Sequence, residues 1–387
     1  MRIALIHKSW STLGGTERYL VGLAHGLVDR GHDVEIFCAR RSSEPLPPRT
    51  LCHRVHWVRP SAALKAISFD RSAQFSVDRA ERERGSFDVV QSLCRTTRQD
   101  VWRAGGGSHL SWVAARNSRL TLTDRLFHRL ESKSCRDTPV VIAVSRGTAD
   151  ELRARHGLSA ERVKVLPNPV DTTRFHPGVK SHSDRVRAEL GIPLAASVLL
   201  LVGTGFQRKG LSDLLKGVGA AKLAKEVVVV AAGADRRVGA YQTLADSLGV
   251  SLVLPGPWSQ IEALYGAADA FVLPTHYDPC ANATLEAMAC GLPVVTTAAN
   301  GASDCVPEGA GRVIDPSDSE DLARAIEWAL GQKPQGPARR AGALAASHLS
   351  WKAHLDAVEA IYEEVATLRQ ARVGFALNLH TQSRLGA

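Results

Sequence analysis

The chain alternates short aliphatic runs with helix-patterned segments, and it does so in two successive series. Residues 2–7 read as a buried strand. Leu20, Leu23, Ala24 and Leu27 then recur at helical spacing until Gly31, and Val34–Cys38 restores the strand pattern. The same alternation returns at Val89–Leu93, at Pro139–Val144 and through the helical pattern of residues 148–156. Strands that are apolar throughout and separated by helices imply a parallel sheet covered on both faces. Over residues 165–178 the pattern breaks into Val-Leu-Pro-Asn-Pro-Val-Asp-Thr-Thr-Arg-Phe-His-Pro-Gly, whose prolines fix an extended path. A second series follows, with strands expected at Val198–Val202, Val227–Ala232, Leu252–Leu254, Ala270–Leu273 and Val294–Thr297. The expected fold class is α/β, with two Rossmann-like domains at residues 1–170 and 171–350. A helix follows over 351–370, and residues 371–387 show no clear period.

A length of 387 residues agrees with two cores, because single cores stop growing at roughly 250–300 residues. Aliphatic runs such as Val198–Val202 fall far short of the roughly 20 residues that cross a bilayer. Met1–His7 passes straight into a helical pattern without a longer apolar region, so a cytoplasmic location is expected. The seven cysteines form no C-x-x-C pair, which argues against a disulfide framework and a zinc knuckle.

The net charge of +9 is unevenly placed. Residues 1–178 hold 29 Lys and Arg against 18 Asp and Glu, whereas the remainder holds 19 against 21. An acidic partner is therefore expected for the first domain only. Aromatic residues make up 5% of the chain and no nucleic-acid-binding module is recognisable, so no nucleic-acid partner is expected.

Four segments can carry chemistry. The densest runs from Tyr277 to Pro293. Asn282 can cap a short helix ended by Gly291 and Pro293, leaving amide groups near Ala283 and Thr284 for a diphosphate. Glu286, one turn in, can reach ribose hydroxyls, and Asp278 in the preceding loop can meet the group attached to the phosphate. A turn at Asp278-Pro279 and a carboxylate favoured near a helix start are the bland alternatives. The second segment is Gly203-Thr-Gly-Phe-Gln-Arg-Lys-Gly210, directly after an expected strand. Arg208 and Lys209 can neutralise a departing diphosphate, and the third glycine of a dinucleotide fingerprint is missing. Third, Gly14 and Gly15 open the first strand-to-helix turn beside Glu17, where a ligand could approach the backbone. Fourth, His109 follows the Gly105–Gly107 run and could bond a substrate hydroxyl or move a proton. No His-Glu-x-x-His or Asp-x-Asp pattern occurs, and no metal is expected; Asp315–Asp321 reads as helix capping.

Together, the tandem architecture, the Gly-Gly turn, Val165-Leu-Pro-Asn-Pro-Val-Asp171, the Lys209-Gly210 loop and the Asp278-x7-Glu286 spacing resemble the retaining glycosyltransferases of family 4. The resemblance implies the GT-B fold, with a nucleotide sugar between two domains and a C-terminal helix crossing back to the first. It implies that Glu286 binds ribose and Lys209 binds phosphate. Asp278 stands where the family has a glutamate one methylene longer. The Arg-Lys-Gly form of the loop after Phe206, and the Asp100-Val-Trp-Arg-Ala104 stretch, are similar to the lipopolysaccharide core glucosyltransferase branch. That likeness implies transfer of glucose from UDP-glucose, without metal or other cofactor, to an inner-core acceptor at the inner membrane. The expected mechanism is same-face attack, with the departing diphosphate accepting the acceptor's proton. Arg208, Lys209, Gly14 and Gly15 would stabilise that diphosphate, while Asp278 and His109 touch the sugar or acceptor.

Residues 114–136 carry Arg116, Arg119, Arg125, Arg129, Lys133 and Arg136 beside Leu122, Leu126, Phe127 and Leu130. Such a basic amphipathic helix can lie on an anionic membrane or simply present a solvated face. The acceptor expected is a phosphorylated or lipid-linked glycan. The competing functions are a capsule, exopolysaccharide or small-molecule glycosyltransferase and, from another class, a UDP-sugar epimerase of the same shape.

Overall fold

The computed structural model describes residues 1–58, 61–116, 119–315 and 318–385, with side chains to residue 369. Residues 117–118 of the basic stretch, 316–317 of the acidic run and 386–387 of the tail lie outside the described residues. The chain divides into two compact units. Unit 1 comprises Met1–Ala114, Ser118–Leu166 and Trp351–Ala387; unit 2 comprises Pro167–Ser350 with Ala115–Asn117.

Unit 1 is built on seven parallel strands: β1 (Arg2–Trp10), β2 (Asp33–Arg41), β3 (Leu51–Arg54), β4 (Val89–Ser92), β5 (Val101–Ala104), β6 (Val140–Ala143) and β7 (Val163–Val165). Their order is β3-β2-β1-β4-β5-β6-β7, so the winding reverses between β1 and β4. One face buries Leu20, Leu23 and Leu27 of the helix Gly15–Asp29 against Ile3, Leu5 and Ile36. The other buries Phe69, Ala73 and Val77 of the helix Ala62–Arg84 against Ala4, Ile6 and Phe37. That second helix is weakly marked in the sequence because alanines make up much of its buried stripe and Asp70 lies within it.

Unit 2 has six parallel strands: β8 (Ser197–Val202), β9 (Val227–Ala232), β10 (Ser251–Gly256), β11 (Ala270–Leu273), β12 (Val294–Thr297) and β13 (Gly311–Ile314). The order β10-β9-β8-β11-β12-β13 reverses between β8 and β11. In both units the crevice beyond the carboxyl ends at this reversal is where open α/β sheets bind ligands.

The last helix, Trp351–Leu385, continues through the segment that showed no sequence period and belongs to unit 1. Leu355, Val358, Ile361, Tyr362 and Val365 join the core cluster of the first helix. Gly22 and Gly26 make the close approach possible. A Cβ on Gly22 would stand 2.3 Å from Trp351 Cζ2, and one on Gly26 2.4 Å from Leu355 Cδ1. The Tyr362 hydroxyl donates to Gln91 Oε1 on β4 at 2.5 Å, and Tyr19 Oη lies 2.9 Å from His354 Nε2.

Candidate active site

In unit 2 the two cations expected from the sequence converge on one carboxylate. β8 runs out through Gly203–Gly205 into a single helical turn, Phe206–Lys209, rather than an open loop. Gly210 closes the turn in the left-handed region at φ 78°, and a Cβ there would lie 2.1 Å from Pro274 O. Only glycine fits both demands. Lys209 is buried, its Nζ 2.7 Å from Asp278 Oδ2, and Arg208 Nη1 reaches the same oxygen at 2.9 Å. Arg208 also donates to Tyr277 O at 2.8 Å. Burial by itself would raise the Asp278 carboxyl, but Lys209 and then Arg208 outweigh it and hold the group below the usual carboxylate range.

The loop after β11 is fixed by Asn300, which is fully buried. Its Oδ1 accepts from the amides of Ala281 and Ala302, both at 3.1 Å, and its Nδ2 donates to the hydroxyls of Thr284 and Thr296, both at 2.9 Å. All four bonding positions of the amide are therefore used.

Asn300 corrects two expectations. Ala281, not Asn282, occupies the cap of the helix Asn282–Ala289, and no side chain caps it. Asn282 Oδ1 accepts instead from Asn168 Nδ2 at 2.5 Å, while the same Nδ2 reaches Cys280 O at 2.9 Å. Thr284 is also engaged: its amide donates to Ala281 O at 3.1 Å and its hydroxyl receives Asn300. Buried in that way, Thr284 positions the helix start rather than offering a free amide. The amides of Asn282 and Ala283, at the first helical positions, have no partner one turn back within the helix. Glu286 is buried on the second turn, where Tyr265 donates its hydroxyl to Oε2 at 2.8 Å. Neither Asn300 nor Tyr265 carries a local sequence signal. Asn168 did, since it lies between the two prolines of the interdomain stretch.

Unit 1 holds the other expected residues. Gly14 precedes the first helix with extended backbone at φ −129°, and Arg18 N donates to its carbonyl at 2.9 Å. A Cβ there would meet only the flexible end of Glu17, so the backbone conformation does not demand glycine at this turn. Gly15 is the first helical residue. Glu17 Oε1 lies 3.5 Å from His7 Nε2, and His7 Nδ1 lies 3.2 Å from Cys94 Sγ. Burial would lower the His7 pKa, but Cys94 and Glu17 outweigh it and raise it to about 9. His7 correspondingly draws the Cys94 thiol down against its burial. His7, Cys94, Lys8, Arg95 and Arg103 line a cavity of about 130 Å³, closed on one side by Gly105–Gly107. It sits beyond β1, β4 and β5 at the reversal of strand order.

His109 lies at the start of the helix His109–Ala115 and is buried against Trp112 and Phe127. Its Nε2 donates to Asp124 Oδ1 at 3.0 Å, and Asp124 also closes a capping box with Thr121. Burial and then Arg95 push the imidazole down against Asp124, so it is neutral near pH 7. Its amide donates to Glu131 Oε2 at 2.9 Å. Arg125 and Arg129 are exposed on the helix Leu122–Asp137, beside Leu122, which is 82% exposed. Thus unit 2 brings Arg208, Lys209 and Asp278 together, whereas Gly14, Gly15, Glu17, His109, Arg125 and Arg129 belong to unit 1.

Among the described residues one group, His128, Glu131 and His156, has the composition of a metal site. Glu131 there already receives Arg95 Nε at 2.8 Å, the His109 amide, Ser108 Oγ at 3.2 Å and His156 Nε2 at 3.2 Å. These partners outweigh its complete burial and hold its carboxyl at about 2. A guanidinium supplies the positive charge.

Comparison with known proteins gives two family matches, Glycosyltransferase Family 4 over residues 13–174 and Glycosyl transferases group 1 over residues 182–345. A D-inositol 3-phosphate glycosyltransferase of Geodermatophilus obscurus is 31% identical, covering 93% of this chain and 88% of its own. The crystal structure of WaaG, a glycosyltransferase involved in lipopolysaccharide biosynthesis, superposes with a TM-score of 0.74 at 21% identity, covering 95% of this chain and 99% of the other. Anabaena HepE in complex with UDP-glucose superposes with a TM-score of 0.70 at 20% identity, covering 96% of this chain and 100% of the other.

Proposed function

The chain belongs to the group 1 glycosyltransferases, and from that premise we propose that it transfers a hexose from UDP-glucose, with retention, to a phosphorylated or lipid-linked saccharide. The observation that carries the donor half is the convergence of Lys209 and Arg208 on Asp278, on the loop that leads to the helix Asn282–Ala289. Two preorganised cations stabilise the charge that grows on a departing diphosphate. The amides of Asn282 and Ala283 add helix-terminal donors. Glu286, oriented by Tyr265, takes the ribose hydroxyls. Asp278 holds both cations until phosphate arrives and then faces the sugar. Same-face attack, in which the leaving diphosphate takes the acceptor's proton, needs neither an enzymic nucleophile nor a metal.

The acceptor half rests on unit 1. Lys8, Arg95 and Arg103 around its cavity suit a phosphate-bearing acceptor, and Arg125 and Arg129 beside exposed Leu122 suit an anionic membrane surface. The protein would then work in the cytoplasm, peripherally bound to the inner membrane. Neutral His109 would serve as a hydrogen-bonding group toward the sugar. A small phosphorylated polyol is a second acceptor reading, favoured by the cavity's modest volume and by the inositol phosphate relative.

The test is a panel of nucleotide sugars scored by protection against thermal unfolding, where ligand at 100 times its dissociation constant adds about 2.7 kcal/mol. UDP-glucose should protect, and Lys209→Ala should lower turnover by about 10²–10³ while remaining folded. Full activity in both Lys209→Ala and Glu286→Ala would remove the donor site. Release of an epimerised sugar nucleotide from UDP-glucose alone would replace the transferase reading with the epimerase one.

A further inference from the structure

Unit 2 carries a second cavity, at the opposite ends of the strands that serve the donor site. It opens where Asp269 precedes β11 and where Gly291 and Leu292 precede β12. Its volume, about 550 Å³, falls within the range of small-molecule sites. Tyr265, Cys290 and Leu292 give it a buried, largely apolar wall, and Lys180, Arg339 and Arg340 surround it with positive charge.

That charge is poorly matched by the protein. The lining offers one carboxylate, Asp269, whose Oδ2 is held by Arg187 at 2.7 Å and whose Oδ1 lies 3.7 Å from Lys180. Arg339 donates to the carbonyls of Asp269 at 2.7 Å and Gly291 at 3.3 Å, and its Nε is buried without an acceptor. Arg340 donates to the carbonyl of Gln335. Among the described residues neither arginine has a carboxylate within ion-pair distance. Carbonyls orient a guanidinium without cancelling its charge, so the cavity favours an anion.

The wall residue Tyr265 faces two ways. Tyr265 is one of the residues bordering this cavity and is almost wholly buried, while its hydroxyl donates to Glu286 Oε2 at 2.8 Å and reaches Ala283 O at 3.3 Å. One residue therefore belongs both to the cavity border and to the hydrogen-bonded surroundings of the carboxylate and helix start assigned to the donor.

We propose that this cavity is an effector site for a small soluble anionic amphiphile, a ring-sized apolar body with a phosphate or carboxylate head, and that its occupation acts on donor binding through Tyr265. The head pairs with Arg339, Arg340 and Lys180 by charge-assisted bonds, and the body packs on the apolar lining that Pro177, Pro334 and Ala343 contribute. By linkage, the effect on the nucleotide is reciprocal. The second half rests on the donor-site reading.

The experiment titrates the full chain with 1-naphthyl phosphate, followed by fluorescence, with and without saturating UDP. One saturable site per chain should persist under UDP and weaken about tenfold in Arg340→Glu and in Lys180→Glu, the loss of one charge-assisted contact. The dissociation constant of UDP should change about threefold or more when the probe is bound, and Tyr265→Phe should abolish that change. Displacement of the probe by UDP, equal binding of neutral 1-naphthol, unchanged affinity in both charge-reversal variants, or an unresponsive UDP affinity would each overturn the proposal. Failure of UDP to bind at all would remove the donor reading, while the probe titration would still decide whether the cavity takes an anion.

Discussion

Asp278→Asn tests the organisation of the donor site in depth. The substitution keeps the shape and removes the charge that Lys209 and Arg208 share at 2.7 and 2.9 Å. At an effective dielectric of 20 each contact carries about 6 kcal/mol of Coulomb energy, most of it offset by desolvation. The measured cost of breaking a buried ion pair by removing one partner is about 3–5 kcal/mol. Asparagine still accepts a hydrogen bond, and Arg208 is 29% exposed, so about 3 kcal/mol is expected. In a domain of this size that lowers the melting temperature by roughly 6–12 °C. UDP returns the missing negative charge, so its stabilising increment should be larger in the variant than in the parent. The pH dependence has a fixed sign. The folded-state pKa of Asp278 is depressed, so its contribution is fully present above the unfolded value of about 3.9 and disappears as pH falls through the folded value. Differential scanning fluorimetry from pH 3 to 8, with and without UDP, reads all three effects. A variant as stable as the parent at pH 7, or one that gains no more from UDP, refutes the argument.

Gly210→Ala should destabilise unit 2 by about 1–3 kcal/mol, because φ 78° strains alanine and its Cβ would overlap Pro274 O; an unchanged denaturation midpoint would contradict this. His7→Ala should slow alkylation of Cys94 at pH 7, since the imidazolium at 3.2 Å stabilises the thiolate, and peptide mass mapping of the modified cysteine reads the outcome. Arg125→Glu with Arg129→Glu should weaken flotation with anionic vesicles, each charge near the surface contributing about 1 kcal/mol; retained flotation would reject that face.

The two parallel sheets were legible because buried strands such as Val227–Ala232 are apolar along their whole length, a pattern independent of tertiary detail. Arg208, Lys209, Asp278 and Glu286 stood out in the sequence by local composition and spacing, and the structure brings the first three together. Asn300 and Tyr265 were not legible, since each acts on a segment folded back from elsewhere and leaves no periodic trace. The Asn282 cap was misread for the same reason: Asn300, eighteen positions downstream, holds the entry to the helix, and Asn168 takes the amide that would have capped it. In the basic stretch, charge alone suggested a solvated or membrane-facing helix. The buried Glu131, which draws Arg95 and His156 inward, shows that this helix is tied to the interior by its acidic minority.

The packing of Leu355, Val358, Ile361, Tyr362 and Val365 on unit 1 has a consequence for synthesis. Residues 1–166 emerge from the ribosome first, yet Leu355, Val358, Ile361, Tyr362 and Val365 belong to their core. Until those residues appear, the groove at Gly22 and Gly26 stands open and the polar ends of Gln91 and Tyr19 lack their partners. Unit 2 ends at Ser350 and is complete in the chain earlier. Unit 1 is thus begun before unit 2 but completed after it, and it waits, with apolar surface exposed to chaperones and proteases, for the helix that follows Ser350.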